Sequence, residues 1–279
     1  MRVAVVGLGA MGSRLAGRLL EHGHHVVVWN RDRAKAEPLG DRGASVAETA
    51  AAAAGDAEAT ITMVTDPHAL AAVTEGTDGV AAGLAEGATL IQMSTVSPDA
   101  TARLAGLLPE GALLDSPVLG SLSEVEAGTL QIFAGGPGEL VERRRPLLEE
   151  LGTVNHVGPV GAGTAAKLVA NTTLVGVIAA LGEAIAVADA LGLERAMAFE
   201  VLGVTPLAAQ AERRREAFES GDYPPRFALR LARKDADLVL AAAQRELKVT
   251  RAAREWLAEA EEAGAGDEDY SAVLARIVD

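Results

Sequence analysis

A chain of 279 residues, 49% hydrophobic and 23% charged, has enough apolar material for one or two well-cored globular domains. Its formal net charge of −14 argues against a nucleic-acid partner, which is bound through a cationic face. It has no cysteine, so disulfides and thiolate metal sites are excluded; His22, His24 and His25 share one turn, and His68 and His156 stand alone, so no metal site is expected.

The N-terminal segment reads as strand, glycine turn, helix and strand. Arg2 to Val6 is an apolar run fit for a buried parallel strand, and it empties into Gly7-Leu8-Gly9-Ala10-Met11-Gly12. Residues 13–21 have helical spacing, and 25–29 form a second β-branched run ending at Asn30-Arg31. In this context the glycines fit a dinucleotide. Gly7 permits the tight turn, Gly9 lets the backbone approach a pyrophosphate, and Gly12 lets the helix pack close to the sheet. Free N–H groups at the helix start hold the phosphate charge. The bland alternative is a glycine-rich turn in an unrelated α/β protein.

The end of the second strand selects the dinucleotide. An acidic residue there would bind the ribose hydroxyl and repel a 2′-phosphate. Here stands neutral Asn30, followed by Arg31, Arg33 and Lys35, and guanidinium groups match phosphate oxygens. The pattern favours NADP over NAD. The same cations also fit a solvated helix start, and Asp32 weakens their field.

Strands are expected at 59–64, 88–93, 112–115, 129–134 and 154–157, with helices between them, including 98–108, 137–151 and an Ala-rich surface helix at 46–54. Alternation of this kind predicts an α/β domain over 1–161, a Rossmann-type, doubly wound, mostly parallel sheet. After Gly161-Ala162-Gly163 the strands stop, and 162–279 reads as an all-α domain joined by a long helix. Thr164 can cap that helix, which runs to about 190 and spans about 40 Å. Further helices are expected at 194–202, 207–219, 227–246 and 251–263. Asn171, Thr172, Thr173, Glu183 and Asp189 make the 168–190 stretch too polar for a membrane span. No signal peptide precedes the first strand, so a soluble cytoplasmic protein is expected.

Ligands of such a sheet sit beyond the carboxyl ends of its strands. Three segments fall there: Val64-Thr65-Asp66-Pro67, Ser94-Thr95-Val96-Ser97-Pro98, and Asp115-Ser116-Pro117-Val118-Leu119-Gly120-Ser121. Val64, Thr65, Asp66 and Thr95 are expected beside the cofactor. Ser94, Thr95 and Ser97 fit N-caps equally well. Gly120 and Ser121 offer N–H groups and a hydroxyl to a carboxylate, or another helix cap. Lys167 and Asn171 stand four apart on one helix face. A lysine amid Ala165, Ala166, Leu168 and Val169 is partly desolvated, which favours the neutral amine and suits proton transfer. The pattern also fits a lysine snorkelling to solvent. Lys234-Asp235, taken alone, reads as a surface charge couple.

The ordered set Gly7-Leu8-Gly9-Ala10-Met11-Gly12, Asp115-Ser116-Pro117-Val118, Gly128-Thr129-Leu130, Gly161-Ala162-Gly163 with Lys167 and Asn171, and Lys234-Asp235 resembles the β-hydroxyacid dehydrogenase family. The resemblance covers nearly the whole chain. It implies a dehydrogenase whose general acid and base is Lys167, assisted by Asn171. Thr95 would contact nicotinamide and substrate, and Ser121 with Gly120 would hold the substrate carboxylate. Lys234 would touch the cofactor, and Phe227 and Asp235 would close the pocket. The substrate would be a small aldehyde or semialdehyde acid, or the corresponding 3-hydroxy acid, and the assembly a homodimer or larger. One position departs: Leu119 stands where the family commonly has Ser, which points to a substrate bulkier or less polar than glyoxylate. Imine reductases, a related branch, and NADP-binding modules with dead sites are the alternatives; both generally lack the lysine.

Overall fold

The computed structural model describes residues 1–278. The chain divides into two compact units, Met1–Lys167 and Leu168–Asp279.

The first unit is built on nine strands: β1 (Arg2–Val6), β2 (His25–Trp29), β3 (Ser45–Val46), β4 (Ala59–Thr62), β5 (Thr89–Gln92), β6 (Leu113–Asp115), β7 (Val118–Leu119), β8 (Leu130–Gly135) and β9 (Gly152–Gly158). The order β3-β2-β1-β4-β5-β6 is parallel throughout, the doubly wound arrangement expected of a dinucleotide-binding sheet. Beyond β6 the direction changes. β8 runs antiparallel to β6 and β7, and β9 lies parallel to β8.

Both faces of the sheet are covered, and the pleat sorts the side chains. Val3 and Val5 pack with Leu15 and Leu19 on one face. Ala4 and Val6 pack with Leu70 and Leu104 on the other. β3 and β7 escaped the sequence analysis because two residues carry no periodicity. β3 also shortens the surface helix expected over 46–54. Val46 pairs with Val28 in the sheet, so only Ala50–Ala54 is helical, capped by the Thr49 hydroxyl on Ala52 N at 2.9 Å.

The helix Ala162–Ala190 runs from the end of the first unit through the second. It begins three residues earlier than a Thr164 cap would place it, so Thr164 sits inside its first turn. Five further helices follow: Arg195–Leu202, Ala208–Ser220, Leu229–Ala242, Lys248–Glu262 and Val273–Val278. The expected helix over 227–246 starts late because Ala228 bridges to Asp269. By length and composition Ala162–Ala190, with a mean hydropathy of 1.8 in its most apolar window, could cross a membrane, contrary to the sequence analysis. Packing explains that composition: Val175, Ile178, Leu181 and Ile185 are core residues of the helical unit, packed with Phe199, Leu229, Leu257 and Leu274.

Candidate active site

The glycine loop has the stereochemistry its pattern requires. Gly7 lies at φ +97°, and a Cβ there would stand 2.3 Å from Met63 O; one on Gly12 would stand 1.9 Å from Gly7 O. Beside Gly9, by contrast, no atom lies within 4 Å of where a Cβ would be, so the backbone is open to a phosphate at the start of the helix Ala10–Glu21, which opens with Ala10 and Met11. Asn30 braces this loop. Its Oδ1 accepts from Leu8 N at 2.9 Å, and its Nδ2 donates to Asp32 O at 2.9 Å. The three cations that follow are not equivalent. Arg33 pairs with Glu48 at 2.8 Å, whereas exposed Arg31 makes no ion pair among the described residues. Lys35 is exposed at the end of the 3-10 turn Arg33–Lys35.

The next two loops are held by side-chain ties. Val64 N donates to Ser94 Oγ at 2.9 Å, joining the ends of β4 and β5. Asp66 caps the helix Pro67–Thr74 by accepting from Ala69 N at 2.8 Å, and Thr65 Oγ1 donates to its other oxygen at 2.7 Å. Ser97 caps the helix Pro98–Leu107 through Ala100 N at 3.2 Å. Half-buried Thr95 lies between the strand tie and the cap.

Sequence analysis missed the anchor of the long helix. Asp115 ends β6 fully buried, and its two oxygens accept from Thr164 N at 2.7 Å and Thr164 Oγ1 at 2.8 Å. Thr164 Oγ1 also lies 2.8 Å from Thr101 Oγ1. Burial pushes the Asp115 carboxyl upward, against the opposing hydrogen bonds from Thr164 and Gly161. Gly163 makes the approach possible, since a Cβ there would stand 2.0 Å from Asp115 O. The helix start is therefore clamped to the end of a central strand. Lys167 follows one turn later and is only 8% exposed.

At the loop after β7, Gly120 lies at φ +141° and Ser121 opens the helix Leu122–Ala127. Ser121 and Glu124 form a reciprocal capping box. Ser121 N donates to Glu124 Oε2 at 2.8 Å, and Ser121 Oγ to the same oxygen at 2.5 Å; Ser123 Oγ adds a third bond at 3.0 Å. Partial burial raises the Glu124 pKa, but these hydrogen bonds outweigh it and bring it down to about 2. Leu119 is half-buried, paired with Gln131 of β8.

Within the helical unit, Asn171 Nδ2 donates to Asp235 Oδ2 at 2.8 Å, with both residues buried. Asn171 Oδ1 is buried without a hydrogen-bond partner among the described residues. Lys234 Nζ lies 2.6 Å from Asp235 Oδ1. Because Asp235 is buried, the pair is more than the surface couple expected from the two residues alone. Phe227 is held on three sides. Its N donates to Asp269 Oδ2 at 3.0 Å, its O accepts from Tyr270 N at 2.8 Å, and its ring meets Tyr270 edge-on at 5.8 Å. Arg214 completes this network through Asp269 at 3.1 Å and the Tyr270 hydroxyl at 2.7 Å. No sequence spacing links these residues.

Comparison with known proteins agrees with this geometry. Residues 2–168 match the NAD binding domain of 6-phosphogluconate dehydrogenase, and residues 161–277 match the NAD-binding domain of NADP-dependent 3-hydroxyisobutyrate dehydrogenase. The chain is 35% identical over 286 residues to 3-sulfolactaldehyde reductase of Escherichia coli, covering 99% of this chain and 95% of that protein. It is 32% identical to glyoxylate/succinic semialdehyde reductase 1 of Arabidopsis thaliana, covering 98% and 97%. The solved 3-hydroxyisobutyrate dehydrogenase of Mycobacterium tuberculosis, with L-serine, superposes with a TM-score of 0.88 at 27% identity, covering 99% and 98%. The chain belongs to the β-hydroxyacid dehydrogenase family and is an NAD(P)-dependent oxidoreductase acting on CH–OH groups.

Proposed function

We propose that this protein interconverts a small aldehyde of the semialdehyde kind and the corresponding 3-hydroxy compound with NADPH, using Lys167 as general acid and base. The observation that carries the proposal is a buried lysine one turn beyond the clamp between Asp115 and Thr164. Bound NADPH would supply a hydride to the carbonyl carbon. Lys167, as the ammonium, gives a proton to the developing alkoxide oxygen; in the oxidising direction the neutral amine takes the hydroxyl proton. The partnerless Oδ1 of Asn171 suits a substrate hydroxyl, and Asp235 fixes the amide's orientation.

The open backbone at Gly9 would receive the pyrophosphate, with Leu8 and Val64 to Asp66 lining the loops beside it. Thr95 and Lys234 would contact the cofactor, as the family resemblance implies. Neutral Asn30 with exposed Arg31 supports NADPH over NADH, since a neutral side chain ends the strand where an acidic one would repel the 2′-phosphate. The working assembly is a homodimer or larger. Exposed Val187, Leu191, Met197, Val201 and Val204 on the helical unit support it. The test is NADPH oxidation against a panel of aldehydes, keto acids and cyclic imines. Turnover of an aldehyde that disappears in Lys167→Ala supports the reading; an active Lys167→Ala enzyme, or turnover of imines alone, overturns it.

A further inference from the structure

Arg214, Asp269 and Tyr270 converge on Phe227, and two of them carry buried charge. Asp269 and Arg214 are 3% and 6% exposed and lie 3.1 Å apart. The remaining bonds of the carboxylate all fix its direction. Oδ2 accepts from Phe227 N at 3.0 Å, and Oδ1 from Ser271 N at 3.1 Å and Ser271 Oγ at 2.6 Å. Arg214 spans Asp269 and the Tyr270 hydroxyl, and its guanidinium carbon lies 4.6 Å over the centre of the Tyr270 ring. That ring in turn meets Phe227 edge-on. The backbone is pinned as well, in a short antiparallel pairing about Ala228 and Asp269. Phe227 O accepts from Tyr270 N at 2.8 Å, and Leu229 N donates to Glu268 O at 2.9 Å.

An ion pair at this depth is a poor source of stability. Desolvating both charges offsets most of what their attraction returns, and apolar side chains of similar volume often hold a core as well. What the pair supplies is a fixed direction for the groups bonded to it. The ring it holds is itself only half-buried, and it stands at the entry to the helix Leu229–Ala242, whose Asp235 holds the Asn171 amide. We infer that the Arg214–Asp269 pair consists of positioning residues for Phe227: with Tyr270, they fix its ring as an apolar wall for the carbon chain of the substrate. The inference rests on the proposed reductase function and adds that the orientation of this ring contributes to substrate binding.

Two conservative variants separate positioning from bulk stability. Arg214→Lys keeps a cation for Asp269 and gives up the planar, two-point hold. Tyr270→Phe loses one hydroxyl and keeps the ring. With para-fluorophenylalanine in place of the four phenylalanines, fluorine NMR reports on Phe227 without turnover, its signal assigned by its loss in Phe227→Leu. In both variants the Phe227 resonance should shift or broaden, while that of Phe133 in β8 stays in place. Kinetics give the second reading. Arg214→Lys should raise the KM of a reduced aldehyde about ten-fold and change kcat and NADPH affinity by less than about three-fold; Tyr270→Phe should act in the same direction and less. In a Phe227→Ala background, Arg214→Lys should change KM by less than about two-fold, because the residue it acts through is gone. A merely structural role would lower the melting temperature in both backgrounds and leave the two KM effects equal. An unmoved Phe227 resonance, an unchanged KM, or equal KM effects with and without Phe227 overturns the inference. Should Arg214→Lys fail to fold, Tyr270→Phe decides by the same readings. If the resonance moves but the wild type reduces no aldehyde, the reductase reading fails while the hold on Phe227 stands.

Discussion

Lys167, the proposed general acid, has 8% of its surface exposed. Lys167→Ala should lower kcat by roughly 10²–10⁴-fold, the usual range for a general acid, while NADPH affinity by fluorescence titration stays within a few-fold. Arg31 makes a separate prediction. An exposed guanidinium facing a phosphate is worth on the order of 1 kcal/mol after solvent screening, so Arg31→Ala should weaken NADPH several-fold and leave NADH unchanged. Arg33 is already paired with Glu48, and Arg33→Ala should move the ratio less. Titrating both cofactors into both variants checks the order. At this scale the sequence was informative about chemistry and silent about partners. The Gly7–Gly12 turn was legible because its spacing states a geometry, whereas Lys167 and Asn171 stood out through the family resemblance, their spacing alone fitting a snorkelling lysine as well. Asp115 as the helix clamp and Glu124 as the occupant of Ser121 were not, because which donors a carboxylate reaches depends on the fold around it.

Several elements are tied at their ends by side chains. Asp115→Ala would leave Thr164 N buried without its acceptor, a loss of about 1–3 kcal/mol. It should also lower kcat, because the first turns of the helix lose their clamp. Thermal melting and steady-state kinetics test the two effects together, and a variant with normal stability and normal kcat would remove the clamp from the account. The capping box makes a pH-dependent contribution. Glu124 has a folded pKa depressed from 4.5 to about 2, so its stabilisation is fully present above pH 4.5 and lost as the pH falls toward 2. Melting temperatures of wild type and Glu124→Gln should therefore diverge only on that acid limb. The long strands were legible as β-branched runs, and their parallel pairing followed from their alternation with helices. Short elements were not. Ser45–Val46 and Val118–Leu119 exist because neighbouring strands offer them a free edge, which is tertiary information. The start of the Leu229–Ala242 helix likewise depends on Ala228 meeting Asp269, a residue far along the chain.

At the scale of the whole molecule, two apolar cores account for the composition, and the remaining apolar surface is unevenly spread. Val187 and Leu191, and Met197, Val201 and Val204, lie on or just beyond the ends of the helices Ala162–Ala190 and Arg195–Leu202 and are exposed by 50% or more. Single exposed leucines need no explanation, but a group of this kind does. Light scattering at micromolar concentration should give at least twice the 28.6 kDa of the chain, and Leu191→Asp with Val204→Asp should lower it. A monomeric wild type would refute the assembly. The same scale gives the helix Ala162–Ala190 a meaning beyond packing. Four residues of helix fix a rise of about 6 Å, whatever else in the enzyme moves, because bending there would break backbone hydrogen bonds. The proposed proton donor, Lys167, and the amide at Asn171 are thus graduations on one ruler. Any opening or closing during turnover must move other parts relative to that ruler. Hydrogen exchange should show it: the amides from Lys167 to Asn171 should stay equally protected with and without NADPH, even where loops such as that of Thr95 slow on binding.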